Sequence, residues 1–256
     1  MALSTVFELI FKWLCLLGLA VMAVSAVYKD KVPNPEFYDV SQLQEPKQTP
    51  TDETPFTTTV NKQEYTIIPR FNYELDGVVV SYHNADAIDD IWHHGEWQDF
   101  INLRDLCVIW GENVATGVYK RIDFHNDSWT CWAAWPDRET GELFKMTDLS
   151  NNHLLADNKT VIAALMSAEP GDHIRLRGML AEYSNPAANF HRGTSTVRTD
   201  TGNGACETIY LDEFSIVTKA NANLRRVYSF SKWLAIISAI GFVVMFVIAP
   251  VRVNRD

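Results

Sequence analysis

Two apolar segments, residues 9–28 and 233–251, bracket a polar, tryptophan-rich stretch in this 256-residue chain. Each approaches the roughly 20 apolar residues that cross a hydrocarbon core, so the sequence between them reads as a globular domain attached to a bilayer at both ends. The second segment, WLAIISAIGFVVMFVIAPV, carries no charge and closes at Pro250, with Tyr228, Phe230 and Trp233 where aromatic residues favour the headgroup layer. The first is uncharged from Trp13 to Tyr28, while Lys12 must snorkel to an interface and Glu8 lies upstream. Ala23, Ser25 and Ala26 would suit a signal peptidase, but the basic n-region of a signal peptide is missing, so an uncleaved anchor is expected.

Orientation signals conflict. Lys29, Lys31, Arg225, Arg226 and Lys232 flank the spans on the domain side, against Lys12, Arg252 and Arg255 on the side of the termini, which by charge bias places the domain in the cytoplasm. The Thr/Pro-rich spacer and the sequons at Asn126 and Asn158 argue the other way, and long domains translocate largely regardless of charge. The expectation is an integral protein of a bacterial inner membrane, with both termini in the cytoplasm and residues 32–232 extracytoplasmic.

From Val32 to Leu224 there are 29 acidic and 14 basic residues, a net charge of about −15. Such a surface repels phosphate backbones and argues against nucleic acid as a partner. Four cysteines are too few for a disulfide scaffold. Cys15 falls in the first span; of Cys107, Cys131 and Cys206, two are expected to pair outside the cytoplasm and one to remain free.

The expected domains are an N-terminal anchor (1–31), a Pro/Thr-rich flexible linker (32–62), a β-rich globular domain (63–219) and a C-terminal anchor with a short basic tail (220–256). Pro33, Pro35, Pro46, Pro50 and Pro55 punctuate the linker. Strands are predicted at 65–69, 76–82, 105–110, 118–124, 129–135, 173–180 and 207–217, from β-branched and aromatic runs bounded by turn residues. One soluble helix is predicted over 158–168, capped by Asp157 and stopped by Pro170-Gly171. Several strands, a helix, then two strands is the order of an OB-type five-stranded barrel, with a mixed β-sandwich as the alternative and a terminal transmembrane helix on either side.

In an OB-like barrel, ligands lie across the middle strands between the first and last long loops. The first, 84–104, holds His93, His94 and Glu96, imidazole and carboxylate groups of the kind that ligate zinc, with His83 or His125 as further donors; no HExxH or CxxC spacing supports them. The last, 184–205, offers Arg192, Thr194, Ser195, Thr196, Arg198, Thr199 and Asn203, with Gly202 and Gly204 leaving backbone amides accessible. Turn chemistry alone also explains such a composition. The run Ser150-Asn151-Asn152-His153 reads as a turn or cap, with a polar binding role as the alternative, and the tryptophans as core residues or an exposed aromatic patch for a partner or glycan.

These features favour a membrane-anchored, non-catalytic interaction module, a subunit docking other membrane or envelope proteins, with no cofactor. The alternative is a membrane-bound, metal-assisted hydrolase using zinc at the His93/His94 loop. Gly18, Ala20, Ala23, Ser238 and Gly241 give some support for close helix packing, including packing into a homo-oligomer.

Overall fold

The computed structural model describes residues 3–202 and 204–248. In chain order the elements are α1 (Leu3–Lys29), β1 (Lys47–Pro50), β2 (Phe56–Val60), β3 (Gln63–Asn84), β4 (Asn102–Ile109), α2 (Gly111–Ala115), β5 (Asp123–Asn126) and β6 (Cys131–Ala134). They continue with α3 (Arg138–Leu143), β7 (Leu149–Leu155), α4 (Lys159–Met166), β8 (His173–Asn185), β9 (Phe190–Arg192), β10 (Glu207–Thr218) and α5 (Ala222–Ile248). Strand makes up 33% and helix 38% of the chain, so it is mixed and sheet-rich rather than mainly β, the two terminal helices supplying much of the helix. Two compact units result: Met1–Lys31 with Asn221–Asp256, and Val32–Ala220.

In the first unit α1 and α5, 27 residues each with an 18-residue stretch of mean hydropathy 2.2, are long and apolar enough to cross a bilayer. At 1.5 Å per residue each spans about 40 Å. They run antiparallel: Asn221 Nδ2 donates to the Lys29 carbonyl at 3.1 Å, and towards the other end Gly241 faces the Phe11 ring. Small residues set the spacing. A Cβ on Gly18 would lie 2.9 Å from the Ala235 backbone nitrogen, and Ser231, Ala235 and Ser238 are buried in the seam. Ala20 and Ala23 are exposed and outside it.

In the second unit β3 pairs with β4, β4 with β7, β7 in parallel with β10, β10 with β8, and β8 back with β3, so the ladder closes on itself through five strands. The predicted strands 65–69 and 76–82 are two parts of the 22-residue β3, long enough to serve both neighbours. Its pairing with β8 shifts register between Pro69 and Phe71, where proline lacks an N–H to give the ladder. Gly178 in β8 permits a close strand approach, since a Cβ there would lie 2.1 Å from the Tyr210 carbonyl oxygen. Alternation along β8 buries Ile174 and Leu176 and exposes Arg175 and Arg177. The core also takes Tyr73, Leu106, Trp110 and Leu154. Fully burying each large apolar side chain contributes about 1.5–3 kcal/mol.

Several sequence expectations need correction. Residues 32–62 are not simply a flexible linker: β1 and β2 both pair with β3, and Leu43 is fully buried. Polar strands of this kind gain their order from the β3 edge rather than from their own apolar content. Residues 118–121 form a 3₁₀ turn before β5 instead of a strand, and β6 is shorter than expected. Among the described residues three α-helices, not one, lie in this unit. The cap of α4 is Asn158, whose side chain accepts from the Thr160 and Val161 amides, while Asp157 takes hydrogen bonds from Thr58 and Tyr210. At the other end of α4, Arg104 donates to the carbonyls of Leu165 and Ala168.

Candidate functional site

On a pleated sheet, residues directly opposite one another share a face. His83 of β3 lies opposite Asp105 of β4, Asp105 opposite His153 of β7, and His153 opposite Thr208 of β10. One residue along, Leu106 and Leu154 belong to the core. A polar row therefore crosses four strands on the face turned away from the core. The run 150–153, read from sequence as a turn or cap, is instead buried strand, and His153 is only 3% exposed.

The segment between β3 and β4 covers part of this row. Asp90 sits beneath a π-helical turn, Trp92–Glu96, and accepts from the Trp92 and His93 amides at 3.1 and 3.0 Å. Its Oδ2 also meets His83 Nε2 at 2.8 Å and His93 Nδ1 at 2.7 Å. Burial opposes ionisation of Asp90, yet the His93 amide and the His83 side chain outweigh it and bring the carboxyl down to about 2. Burial also lowers the pKa of His93, keeping it neutral, so its Nε2 can accept from Asn102 Nδ2 at 3.1 Å. Asn102 Nδ2 lies 3.4 Å from Asp105 Oδ1. Asp105 Oδ2 is in turn 2.7 Å from His153 Nδ1, a close contact between carboxylate and imidazole that is not aligned as a hydrogen bond. Burial holds His153 neutral as well. Asp99, at the end of the same segment, accepts from the Tyr183 hydroxyl at 2.6 Å, and burial pushes its carboxyl up to about 6.

A second cover is the β5–β6 hairpin. Asp127 organises its turn, accepting from the Trp129 and Thr130 amides and from the Trp132 indole. A disulfide joins Cys131 to Cys107 on β4, with Cα atoms 5.6 Å apart, fastening the hairpin to the sheet. Asn126 accepts from the Ser81 hydroxyl and donates to Asn151 at 2.8 Å. Of the two sequon asparagines, Asn126 uses both its oxygen and its nitrogen in the fold, and Asn158 uses its side-chain oxygen to cap α4.

The third cover is the segment 186–206. Its Arg192 guanidinium lies 5.6 Å above the Trp129 ring, and Phe190 stacks on Trp97, 5.2 Å away. Between the hairpin, β7 and this segment opens a cleft of about 500 Å3. Trp129, Trp132, Trp135 and Met146 give it apolar walls; Arg192, His153, Asp200 and Cys206 are polar groups on its lining. The three tryptophans are 43–49% exposed. Such a volume is typical of small-molecule sites, and so is a mainly apolar lining with a few polar groups.

The residues expected from sequence fare differently. Arg192 reaches the cleft; Arg198 does not, because it pairs with buried Glu207 and lies 4.8 Å over the Trp110 ring. Thr194 ties the segment to β10, accepting from the Thr208 amide at 2.9 Å. Ser195 donates to Asp200 at 2.6 Å, shaping the loop. Thr196 is exposed, its carbonyl accepting from Gln48; Thr199 is exposed too, and Asn203 lies outside the described residues. His93, His94 and Glu96 do not converge: His93 is buried against Asp90, His94 packs 4.7 Å from Phe100, and Glu96 is exposed. Adjacent helical-turn residues point about 100° apart, which separates the two imidazoles. Among the described residues no group of three His, Cys, Asp or Glu side chains is arranged to hold a metal ion. Cys206, the domain's unpaired thiol, lines the cleft and is raised in pKa by burial.

Sequence reasoning missed Asp90, Asn102 and Asp105, and placed His153 in a turn or cap rather than in a strand. A signal was present for two of them: Asp105 opens the apolar run DLCVIW and His153 interrupts NNHLL, each a charged or titratable residue in an otherwise buried strand. No protein-family model, curated protein or solved structure matches the chain.

Proposed function

We propose that the chain is a membrane-anchored, non-catalytic binding module, a subunit of a membrane or envelope complex, whose OB-like barrel presents one ligand-binding face. The single observation carrying this reading is the cleft itself, bounded by the last long loop and roofed by exposed tryptophans over a polar strand face. The OB-like assignment draws support from the closed five-strand circuit, from the parallel β7–β10 pair, and from α4 between the third and fourth strands of that circuit. It draws further support from the meeting of the first and last loops, through Trp97 and Phe190, over the middle strands.

Bilayer attachment rests on the length and apolarity of α1 and α5. An extracytoplasmic domain in a bacterial inner membrane is favoured by the Cys107–Cys131 bond, since structural disulfides persist in oxidising compartments. With a net charge of about −15, the domain favours a protein or small-molecule partner over nucleic acid. The test is photo-cross-linking in native membranes from a reactive residue at position 132, with position 159 on α4 as control. A discrete adduct from 132, absent from 159 and lost with Trp129→Ala, is expected; identical products from both positions would remove the support.

A further inference from the structure

Two side chains of opposite charge line the same cleft, and each carries one buried polar atom that lacks a partner. Arg192 Nη1 is buried with no hydrogen-bond acceptor, and Asp200 Oδ1 is buried with no donor, among the described residues. Both side chains contribute to the cleft lining, and neither forms an ion pair with another described residue. An unpaired buried polar group costs about 1–3 kcal/mol, more when charged, so each gains from a ligand group that completes it. A guanidinium wants carboxylate oxygens; a carboxylate wants an N–H donor, best a charged one. Asp200 is already oriented by the Ser195 hydroxyl on its other oxygen, and Arg192 by its position over Trp129.

The remaining wall is indole. Trp129, Trp132 and Trp135 give flat apolar surface on which an aliphatic or aromatic group packs. Overall charge discriminates further: an acidic domain disfavours anions, while a molecule of zero net charge meets no such field. A simple anion would also meet Asp200, and a simple cation Arg192.

We propose that the cleft binds a small zwitterion, an α-amino acid with an apolar or aromatic side chain, its carboxylate on Arg192, its ammonium on Asp200 and its side chain against the tryptophans. His153, held neutral above Asp105, supplies a further polar contact on the cleft floor. This rests on the cleft being the binding site argued above and narrows what occupies it.

The experiment uses the full chain in detergent and follows tryptophan fluorescence on titration with L-phenylalanine, its C-terminal amide and its N-acetyl derivative. Phenylalanine is expected to bind saturably, and each blocked form at least about tenfold more weakly. Arg192→Gln should erase the preference for acid over amide while keeping that for free over acetylated amine; Asp200→Asn should do the reverse. Circular dichroism and the melting temperature verify that both variants fold. Equal binding of the three compounds, no saturation by phenylalanine up to about 10 mM, or loss of both preferences in either folded variant would overturn the proposal. A cross-link from position 132 without phenylalanine binding leaves the binding-module reading standing and removes only the amino acid.

Discussion

Trp97 lies nearly parallel to Phe190, ring centroids 5.2 Å apart and planes 18° from each other. The stack joins the segment after β3 to the strand after β8, two parts of the chain almost a hundred residues apart in sequence. Trp97 also meets Trp129 edge-on at 4.7 Å, so one indole touches both remaining covers of the polar face. Trp97→Ala is expected to destabilise the domain by about 2–4 kcal/mol and to weaken binding at the cleft, whereas Trp97→Phe should retain most of both. Denaturant unfolding alongside the cross-linking yield checks this. Unchanged cross-linking in Trp97→Ala would mean that the covers are positioned independently.

The Cys107–Cys131 bond closes a separation of 24 residues. By loop-closure entropy its removal costs about 3 kcal/mol, and because it fastens the β5–β6 hairpin to β4, the loss should fall on the wall carrying Trp129 and Trp132. Cys107→Ser with Cys131→Ser should lower the melting temperature and expose those indoles, read as a red shift in emission. Acid quenching of cells followed by alkylation in denaturant should find Cys107 and Cys131 bonded and unmodified if the domain lies outside the cytoplasm, and alkylated if it does not.

Stability should peak in the weakly acid range. Asp99 and Glu207 have carboxyls raised by burial to about 6 and about 7, so the folded state holds protons that the unfolded chain releases above pH 4–5. Their contribution is full below the unfolded values and is lost as pH rises through 6 to 7. Asp90 has the opposite sign: lowered to about 2, it stabilises above its unfolded value near 3.8 and fails as pH falls through 2. His93 and His153, neutral in the fold, act on the acid side, because the unfolded chain takes up protons on them below about 6.5; urea unfolding from pH 3 to 8 should therefore give a maximum near pH 6, and Asp99→Asn should flatten its alkaline side. A stability that rises steadily to pH 8 would contradict these assignments.

Gly178 and Gly193 separate packing from loop freedom. A Cβ at 178 runs into the Tyr210 carbonyl, whereas nothing lies within 4 Å of one at 193. Gly178→Ala should cost several kcal/mol or abolish folding, and Gly193→Ala less than about 1 kcal/mol. Comparable melting temperatures for the two would refute the close β8–β10 approach.

Much of the scaffold was legible because its signals are local. The apolar runs at both ends, the alternation of HIRLRGML in β8 and the Pro-Gly stop after α4 each announce an element within about ten residues. The order of strands around one helix led to the OB-like expectation, and of the last loop's candidates Arg192 lines the cleft. The polar row was not legible. His83, Asp105 and His153 are separated by 22 and 48 positions and become neighbours only through strand register, which no local pattern encodes. Residues 32–62 were misjudged for a related reason: KQTP and FTTTV are too polar to fold alone and take their order from the edge of β3.

The labelling rate of Cys206 in a Cys15→Ser chain tests the central claim most directly, because this thiol lines the cleft while Cys107 and Cys131 are bonded to each other. A small maleimide should modify Cys206 slowly in native membranes, where the binding partner or ligand is present, and at least about tenfold faster in the purified chain. Arg192→Gln should bring the membrane rate up to the purified one. Equal rates in membranes and in purified protein, unaffected by Arg192→Gln, would contradict an occupied binding cleft.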